Sequence, residues 1–280
     1  MITDFQTNKI YFSELLRAKH PETFAQILEV LKSHNISPNF LPQTKDIWAR
    51  DYMPIQVNEN KFIEYCYDPD YLQPKSYRHL KSSPDIICNE IGLKTQKTDI
   101  VIDGGNVIKS TNHVILTDKV VVENREKYSK EKLLGLLQEL FEVDNIVLIP
   151  WDKSEPYGHA DGMARFIDDN TVLLQDYFQD YDTVFRKKLY GALEKAGLFY
   201  EELKFEGENI NENSWSYINF LQTKDIILLP SFGIPEDDIA FEQIQNFFPD
   251  YVDGRIYKID MTDIVKEGGA LNCISWTIKA

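Results

Sequence analysis

The sequence predicts an α/β fold made of about five similar modules in a single domain spanning residues 1–280. Three observations carry this. The pattern hairpin, helix, strand recurs several times along the chain. The helical segments are amphipathic, and the extended runs are bounded by Gly, Asn, Asp and Pro turns. Hydrophobic residues make up 43% of the 280 positions, enough for a sizeable core, and no low-complexity tract or linker divides the chain.

The elements follow in order. Tyr11 to His34 has Leu15, Leu16, Phe24, Ile27, Leu28 and Leu31 at helical spacing, with Pro21 opening its second half. Asn35 to Pro42 is a turn-rich connector into an extended run, and Phe62 to Tyr67 reads as a strand. Asp68 to Pro84, rich in Tyr, Pro, Lys and Ser, reads as a long surface loop. Thr98 to Ile102 is a strand ending in the turn Asp103-Gly104-Gly105-Asn106, and Val107–Ile108 with His113–Thr117 form a hairpin. Ser129 to Phe141 presents Leu133, Leu136, Leu137 and Leu140 on one face, and Asn145 to Pro150 is a short buried strand. Met163–Ile167 and Thr171–Leu174 flank an Asp-Asp-Asn turn, and Asp180 to Ala196 is a helix closed by Gly197. Trp215–Leu221 with Asp225–Pro230 reads as another hairpin, Pro235 to Phe248 as a helix, and Arg255–Ile259 and Leu271–Ile278 as the last strands.

The formal net charge is −15. Such a surface argues against binding nucleic acid or anionic membranes, and favours attraction of a cationic small substrate. The three cysteines, Cys66, Cys88 and Cys273, form no CxxC pair and are odd in number, so a reducing cytoplasm fits better than a disulfide framework. Neither a signal-peptide pattern nor an apolar run long enough to span a bilayer is present, and a cytoplasmic location is expected.

Four segments carry chemistry. Thr44 to Ile55 puts Asp46, Trp48, Arg50 and Asp51 close together. A carboxylate beside an aromatic face suits a guanidinium or ammonium ion, although a surface loop with Arg50 paired to Asp46 or Asp51 would read the same way. Asp103-Gly104-Gly105-Asn106 presents an acid at a strand end, or is an ordinary hairpin turn. Gly158-His159-Ala160-Asp161 places His and Asp at i and i+2, on one face if extended, which suits general acid–base work. The pair could also ligate metal, but no HExxH or Cys/His cluster accompanies it, so a metal site is disfavoured. Gly268-Gly269-Ala270-Leu271-Asn272-Cys273 ends in a cysteine after a glycine turn, either a held nucleophile or a small buried hydrophobe. One nucleophile, one His and several acids suit attack on the sp² carbon of a planar cation better than acyl hydrolysis, which needs an oxyanion hole.

In order and in kind, Trp48-Ala49-Arg50-Asp51-Tyr52-Met53-Pro54, Asp103-Gly104-Gly105-Asn106, Gly158-His159-Ala160-Asp161 and Gly268 to Cys273 resemble the agmatine deiminase and bacterial-type peptidyl-arginine deiminase family of guanidino-group-modifying enzymes. Weaker matches include Glu123-Asn124-Arg125, Ser216 to Phe220 and Leu229 to Gly233, so the likeness runs from about Asn35 to the end. The resemblance implies a five-module α/β propeller (the pentein fold), with ββαβ-like repeats around a central active site. It implies Cys273 as nucleophile, His159 as general acid–base, Asp51 and Asp161 on the guanidinium nitrogens, and Asp103 supporting His159. Trp48, Arg50, Asn106, Glu155 and Tyr157 complete the expected substrate-binding set. Three departures stand out: Asp103 where Glu is usual, Tyr52-Met53 after the Arg-Asp pair, and Glu155-Pro156-Tyr157 before the GH pair.

The expected reaction is deimination of agmatine to N-carbamoylputrescine and ammonia, with no cofactor. Trp151, Glu155 and Tyr157, just before His159, could receive a substrate amine. Peptidyl or free arginine is the alternative substrate, and an inactive binding relative is the alternative class. The expected partner is the cationic guanidino substrate, and a homodimer is compatible with the sequence.

Overall fold

A computed structural model describes residues 1–153, 155–175, 183–205 and 214–280. Its organising unit is a strand, a second strand antiparallel to the first, a helical connection, and a third strand parallel to the second. In chain order, β1 (Lys9–Ser13) leads through α1 (Glu14–Lys19) and α2 (Pro21–Ser33) to its parallel neighbour β2 (Asn39–Leu41). After α3 (Ala49–Tyr52), β3 (Ile55–Asn58) pairs antiparallel with β4 (Lys61–Cys66), and α4 (Pro84–Glu90) leads to parallel β5 (Gln96–Val101). The third unit has β6 (Ile108–Lys109), β7 (His113–Thr117), α5 (Lys119–Asn124), α6 (Lys130–Phe141) and β8 (Asn145–Ile149). The fourth has β9 (Ala164–Phe166), β10 (Thr171–Leu174), α7 (Thr183–Lys195) and β11 (Phe199–Glu202). The fifth has β12 (Leu221–Gln222), β13 (Ile227–Ser231), α8 (Glu236–Phe247) and β14 (Ile256–Asp260). Finally β15 (Ser275–Ile278) returns antiparallel to β1, with Ser275 opposite Phe12, and supplies the first unit's missing strand. The described strands thus form five three-stranded sheets.

Each unit buries one face of its sheet under its own helix. In the third, Leu133, Leu137 and Phe141 of α6 join the cluster that contains Val114 and Leu116 of β7. Each such side chain contributes about 1.5–3 kcal/mol through burial, against the cost of ordering the chain. No helix among the described residues is long and apolar enough to cross a membrane.

The structure corrects the element boundaries in several places. Tyr11 to Ser13 is strand, because Ile10 and Phe12 alternate with Lys9 and Tyr11 and are buried. Ser13 Oγ then accepts from Leu15 N at 3.1 Å and starts α1. Residues 68–84 hold two 3-10 turns with Leu72 buried, and α4, unread in the sequence, follows at Pro84. Ser214–Ile218 is a 3-10 turn and not the strand expected from Trp215, because its unit's first strand is only Leu221–Gln222. Leu271 to Ile274 is a turn preceding β15. The expected start of the Asp180 helix lies outside the described residues, while Gly197 takes the left-handed conformation (φ +73°) expected of a helix terminator.

Five connections join successive units: residues 42–54, 102–107, 150–163, 203–220 and 261–274. Each one delivers part of a single polar centre.

Candidate active site

The first connection delivers Asp51. Asp46 Oδ1 accepts from Trp48 N at 3.0 Å and sets up the one-turn helix α3. The Tyr65 hydroxyl lies 2.5 Å from Asp51 O and 2.9 Å from Met53 O, pinning its far side. The second connection is the 3-10 turn Gly104–Asn106, with Asp103 in front of it. Here the glycines are required by space. A Cβ on Gly104 would run into the Arg50 carbonyl oxygen, and one on Gly105 would lie 2.6 Å from His159 Nδ1 and 2.7 Å from Asp51 Oδ1. Asn106 Oδ1 accepts from Thr117 N at 2.8 Å and locks the turn to β7.

The third connection carries His159 and Asp161. Glu155 gathers the backbone N–H groups of Tyr157, Gly158 and His159 with its two carboxylate oxygens, shaping the loop that holds the imidazole. His159 Nε2 sits 2.9 Å from Asp103 Oδ2, and its Nδ1 lies 3.7 Å from Asp51 Oδ1. The shorter acid at 103 therefore still reaches the ring. Tyr71, from the 68–84 segment, donates its hydroxyl to the same Asp103 Oδ2 at 3.0 Å. Asp161 N donates to Gly105 O at 3.0 Å, joining the second connection to the third.

The fourth and fifth connections meet at Cys273. Asn219 Oδ1 lies 3.2 Å from Asn272 N, 3.3 Å from Cys273 N and 3.3 Å from Cys273 Sγ. Asn219 Nδ2 donates to Asp161 O at 3.3 Å. Asn272 Nδ2 donates to Asp161 Oδ2 at 2.6 Å, and the Cys273 sulfur is 3.5 Å from that oxygen. Arg50 N closes the circuit by donating to Cys273 O at 3.0 Å. Trp48 packs on Gly269 and Tyr157 on Gly268, which has φ +94°, so two rings flank the glycine strap leading to the cysteine.

Charge is concentrated here on buried side chains. Burial alone would lower the His159 pKa, but Asp51, the hydrogen bond to Asp103 and that carboxylate's charge overcome it and raise the value to about 10. Burial pushes the Asp51 carboxyl up, opposed by His159 and reinforced by Asp103 and Asp161. Burial, followed by the charges of Asp161 and Asp51, holds the Cys273 thiol well above its usual range. The resting pair is therefore thiol and imidazolium.

Two expectations follow. Alkylation of Cys273 by neutral iodoacetamide will be slow at pH 7 and rise about tenfold per pH unit, because only the thiolate reacts. Mass spectrometry of the Cys273 peptide reads this, and fast labelling that is flat from pH 6 to 8 would show a preformed thiolate. Asn219→Ala removes the clamp on the cysteine turn, and kcat is expected to fall about 100-fold with far-UV circular dichroism unchanged. Wild-type kcat in that variant would assign Asn219 no positioning role.

The structure thus gathers Cys273, His159, Asp51, Asp103 and Asp161, with Trp48 and Tyr157 beside them. The other expected residues serve the frame: Asn106 holds β7, Glu155 holds the His159 loop, and Arg50 turns its Nε to Asn272 O at 3.4 Å. Trp151 Nε1 donates to Glu155 O at 3.0 Å. Tyr71, Asn219 and Asn272 were given no role by sequence reasoning. Asn272 and Asn219 carried a signal, as neighbours of the cysteine and members of a matched segment, whereas Tyr71 lies in a run that reads as loop. Among the described residues, no group of three or more His, Cys, Asp and Glu is placed to hold a metal ion.

Residues 2–278 match the family model described as Porphyromonas-type peptidyl-arginine deiminase. The chain belongs to that family. A provisionally named agmatine deiminase of Enterococcus faecalis is 24% identical over 226 residues, 68% of this chain. The match spans 60% of that relative's length. Among solved structures, a Cys-to-Ser variant of C. jejuni agmatine deiminase with substrate bound superposes with a TM-score of 0.79 at 17% identity, covering 100% of this chain and 96% of that one. The DDAH of Pseudomonas aeruginosa, complexed with citrulline, gives 0.61 at 12% identity, with 98% and 100% covered. The chain therefore shares the α/β fold of the agmatine deiminases and DDAH.

Proposed function

We propose that the chain is a guanidine deiminase acting on agmatine. The observation that carries the chemistry is the convergence of a buried thiol, an imidazole flanked by two carboxylates and one further carboxylate, delivered by four of the inter-unit connections. The agmatine deiminases among its structural relatives support the substrate. The five like sheets, each feeding one connection into the centre, support a propeller arrangement around it.

In this reading Asp51 and Asp161 receive the planar cation through paired N–H···O contacts. The arriving positive charge lowers the thiol pKa beside it, so the thiol gives up its proton to solvent, where the released ammonia later takes one up as ammonium, and the nucleophile forms where and when substrate is bound. The thiolate attacks the guanidinium carbon, forming a C–S bond. His159 gives its proton to the departing nitrogen, and ammonia leaves. The neutral imidazole then takes a proton from water, whose oxygen adds to the same carbon. Collapse breaks the C–S bond and releases the ureido product, N-carbamoylputrescine. The balance is guanidinium plus water to urea plus ammonium. All three cysteines are free thiols, which suits a nucleophile kept in a reducing cytoplasm.

The test offers agmatine, free arginine and an arginine-containing peptide separately to the folded protein, reading ammonia and ureido product. Turnover of agmatine with the highest kcat/KM is expected. Preference for the peptide would move the substrate towards the family model's description, and no product from any of the three would overturn the deiminase reading.

A further inference from the structure

The carboxylate behind His159 is held from two sides. Asp103 Oδ2 meets His159 Nε2 at 2.9 Å and accepts from the Tyr71 hydroxyl at 3.0 Å. Its other oxygen, Oδ1, is buried and has no hydrogen-bond partner among the described residues. Both contacts therefore fall on one atom. Held by His159 alone, the carboxylate is free to turn about its last torsion and carry the imidazole with it. A second donor at the same oxygen removes that freedom. Burial, followed by the charge of Asp103, raises the Tyr71 phenol pKa well above its usual range, so the hydroxyl keeps the proton it donates.

Tyr71 is itself firmly seated. It lies in the 3-10 turn Asp70–Leu72, where Leu72 is buried. Lys119 of α5, 1% exposed, places Nζ 2.9 Å from Asp70 Oδ1 and 3.1 Å from Glu123 Oε1. The same ammonium lies 5.0 Å from the centroid of the Tyr71 ring and 5.6 Å from that of Trp151. The Lys119 stem packs on Gly158, where a Cβ would run into its Cδ. The Tyr71 ring meets Tyr157 edge-on at 5.0 Å and His159 at 6.2 Å. One buried cation thus ties the Tyr71 turn to the loop that carries His159.

We infer that Tyr71 is a positioning residue, fixing the Asp103 carboxylate and, through it, the direction of the His159 N–H. Its kinetic consequence rests on the deiminase reading, whereas its effect on His159 does not. The groups facing His159 are Asp51 from α3, Asp103 from the second connection, and Glu155 and Tyr157 from its own. Those facing Tyr71 are Asp103, Asp51, Tyr67 and Lys119. Among the described residues, the Tyr71 hydroxyl is the side-chain donor that shares Asp103 with the imidazole.

Tyr71→Phe keeps the ring against Lys119 and Tyr157 and deletes the hydroxyl. In protein labelled with 15N-histidine, the His159 Nε2–H proton, assigned with His159→Gln, is expected to shift at pH 7, because its acceptor loses a competing donor. An unmoved resonance would overturn the inference whatever the substrate. With agmatine, kcat is expected to fall about tenfold or more while KM stays within about twofold. Added to Asp103→Asn, Tyr71→Phe is expected to cost nothing further. An equal loss in both backgrounds would overturn the inference, as would wild-type kcat in Tyr71→Phe with loss only in Tyr71→Leu, which would leave the ring a packing role. If Tyr71→Phe does not fold, Asp70→Lys sets two cations against each other at a side chain that is 61% exposed. A shifted His159 proton and a lowered kcat are expected there too, and wild-type values of both would overturn the inference. Absence of turnover in the wild type bears on the deiminase reading and leaves the proton resonance to decide.

Discussion

Cys273→Ser will retain the fold and lose turnover by a factor on the order of 10⁴ or more. The argument for the fold is local. Cys273 is 6% exposed, and among the described residues its sulfur is within hydrogen-bond reach of Asp161 Oδ2 and Asn219 Oδ1. A hydroxyl is smaller, and its one proton can go to either of the same two oxygens. The stability change is expected within about 1 kcal/mol, read as the shift in urea midpoint. The argument for activity is chemical. Substrate charge can draw a proton from a thiol whose pKa is raised, but a serine hydroxyl starts several pH units further away. Asp51, Asp161 and His159 remain, so the variant should still bind substrate. Full ammonia release by Cys273→Ser would assign the nucleophile elsewhere.

His159→Gln should cost about 10²–10⁴ in kcat, the usual worth of a positioned acid–base group. It should also change how stability depends on pH. In the wild type His159 has its pKa raised from 6.5 to about 10. A raised value means that the folded state holds a proton the unfolded chain releases. The stability gained is complete below about pH 6.5 and is lost as pH climbs through about 10. Asp51 and Cys273, both also raised, act with the same sign. Wild-type stability is therefore expected to fall between pH 6.5 and 10, and His159→Gln should have a shallower slope there. Parallel slopes in urea unfolding across that window would show that the imidazole is not protonated between its carboxylates.

Much of the centre could be read from the chain because its chemistry lies in short runs. Asp51, Asp103, His159, Asp161 and Cys273 each stand beside glycine, proline or arginine signals, and the structure brings all five together. The hairpin–helix–strand rhythm was equally visible, since α6 and β7 to β8 follow simple periodicity. What stayed hidden depends on distant partners. β1 was read as the start of a helix because its pairing strand is β15, far along the chain. Tyr71 gave no local sign, since its partner Asp103 lies 32 positions away. Glu155 was read as a carboxylate for a substrate amine; in the structure its two oxygens accept from three backbone N–H groups of the His159 loop, partners that its sequence neighbours do not announce.

The pairing of β1 with β15 has a kinetic side. The first sheet joins segments such as Asn8 and Ala280, which exchange hydrogen bonds across 272 positions. Contacts of such sequence separation carry a large loop-closure cost and belong to the late, slow phase of folding. Cys273 lies two residues before β15, in a turn whose frame is Asn219 and Arg50. Pairing of β1 with β15 and thiol placement are therefore expected to coincide, and recovery of activity during refolding should report that late step rather than the chain's collapse.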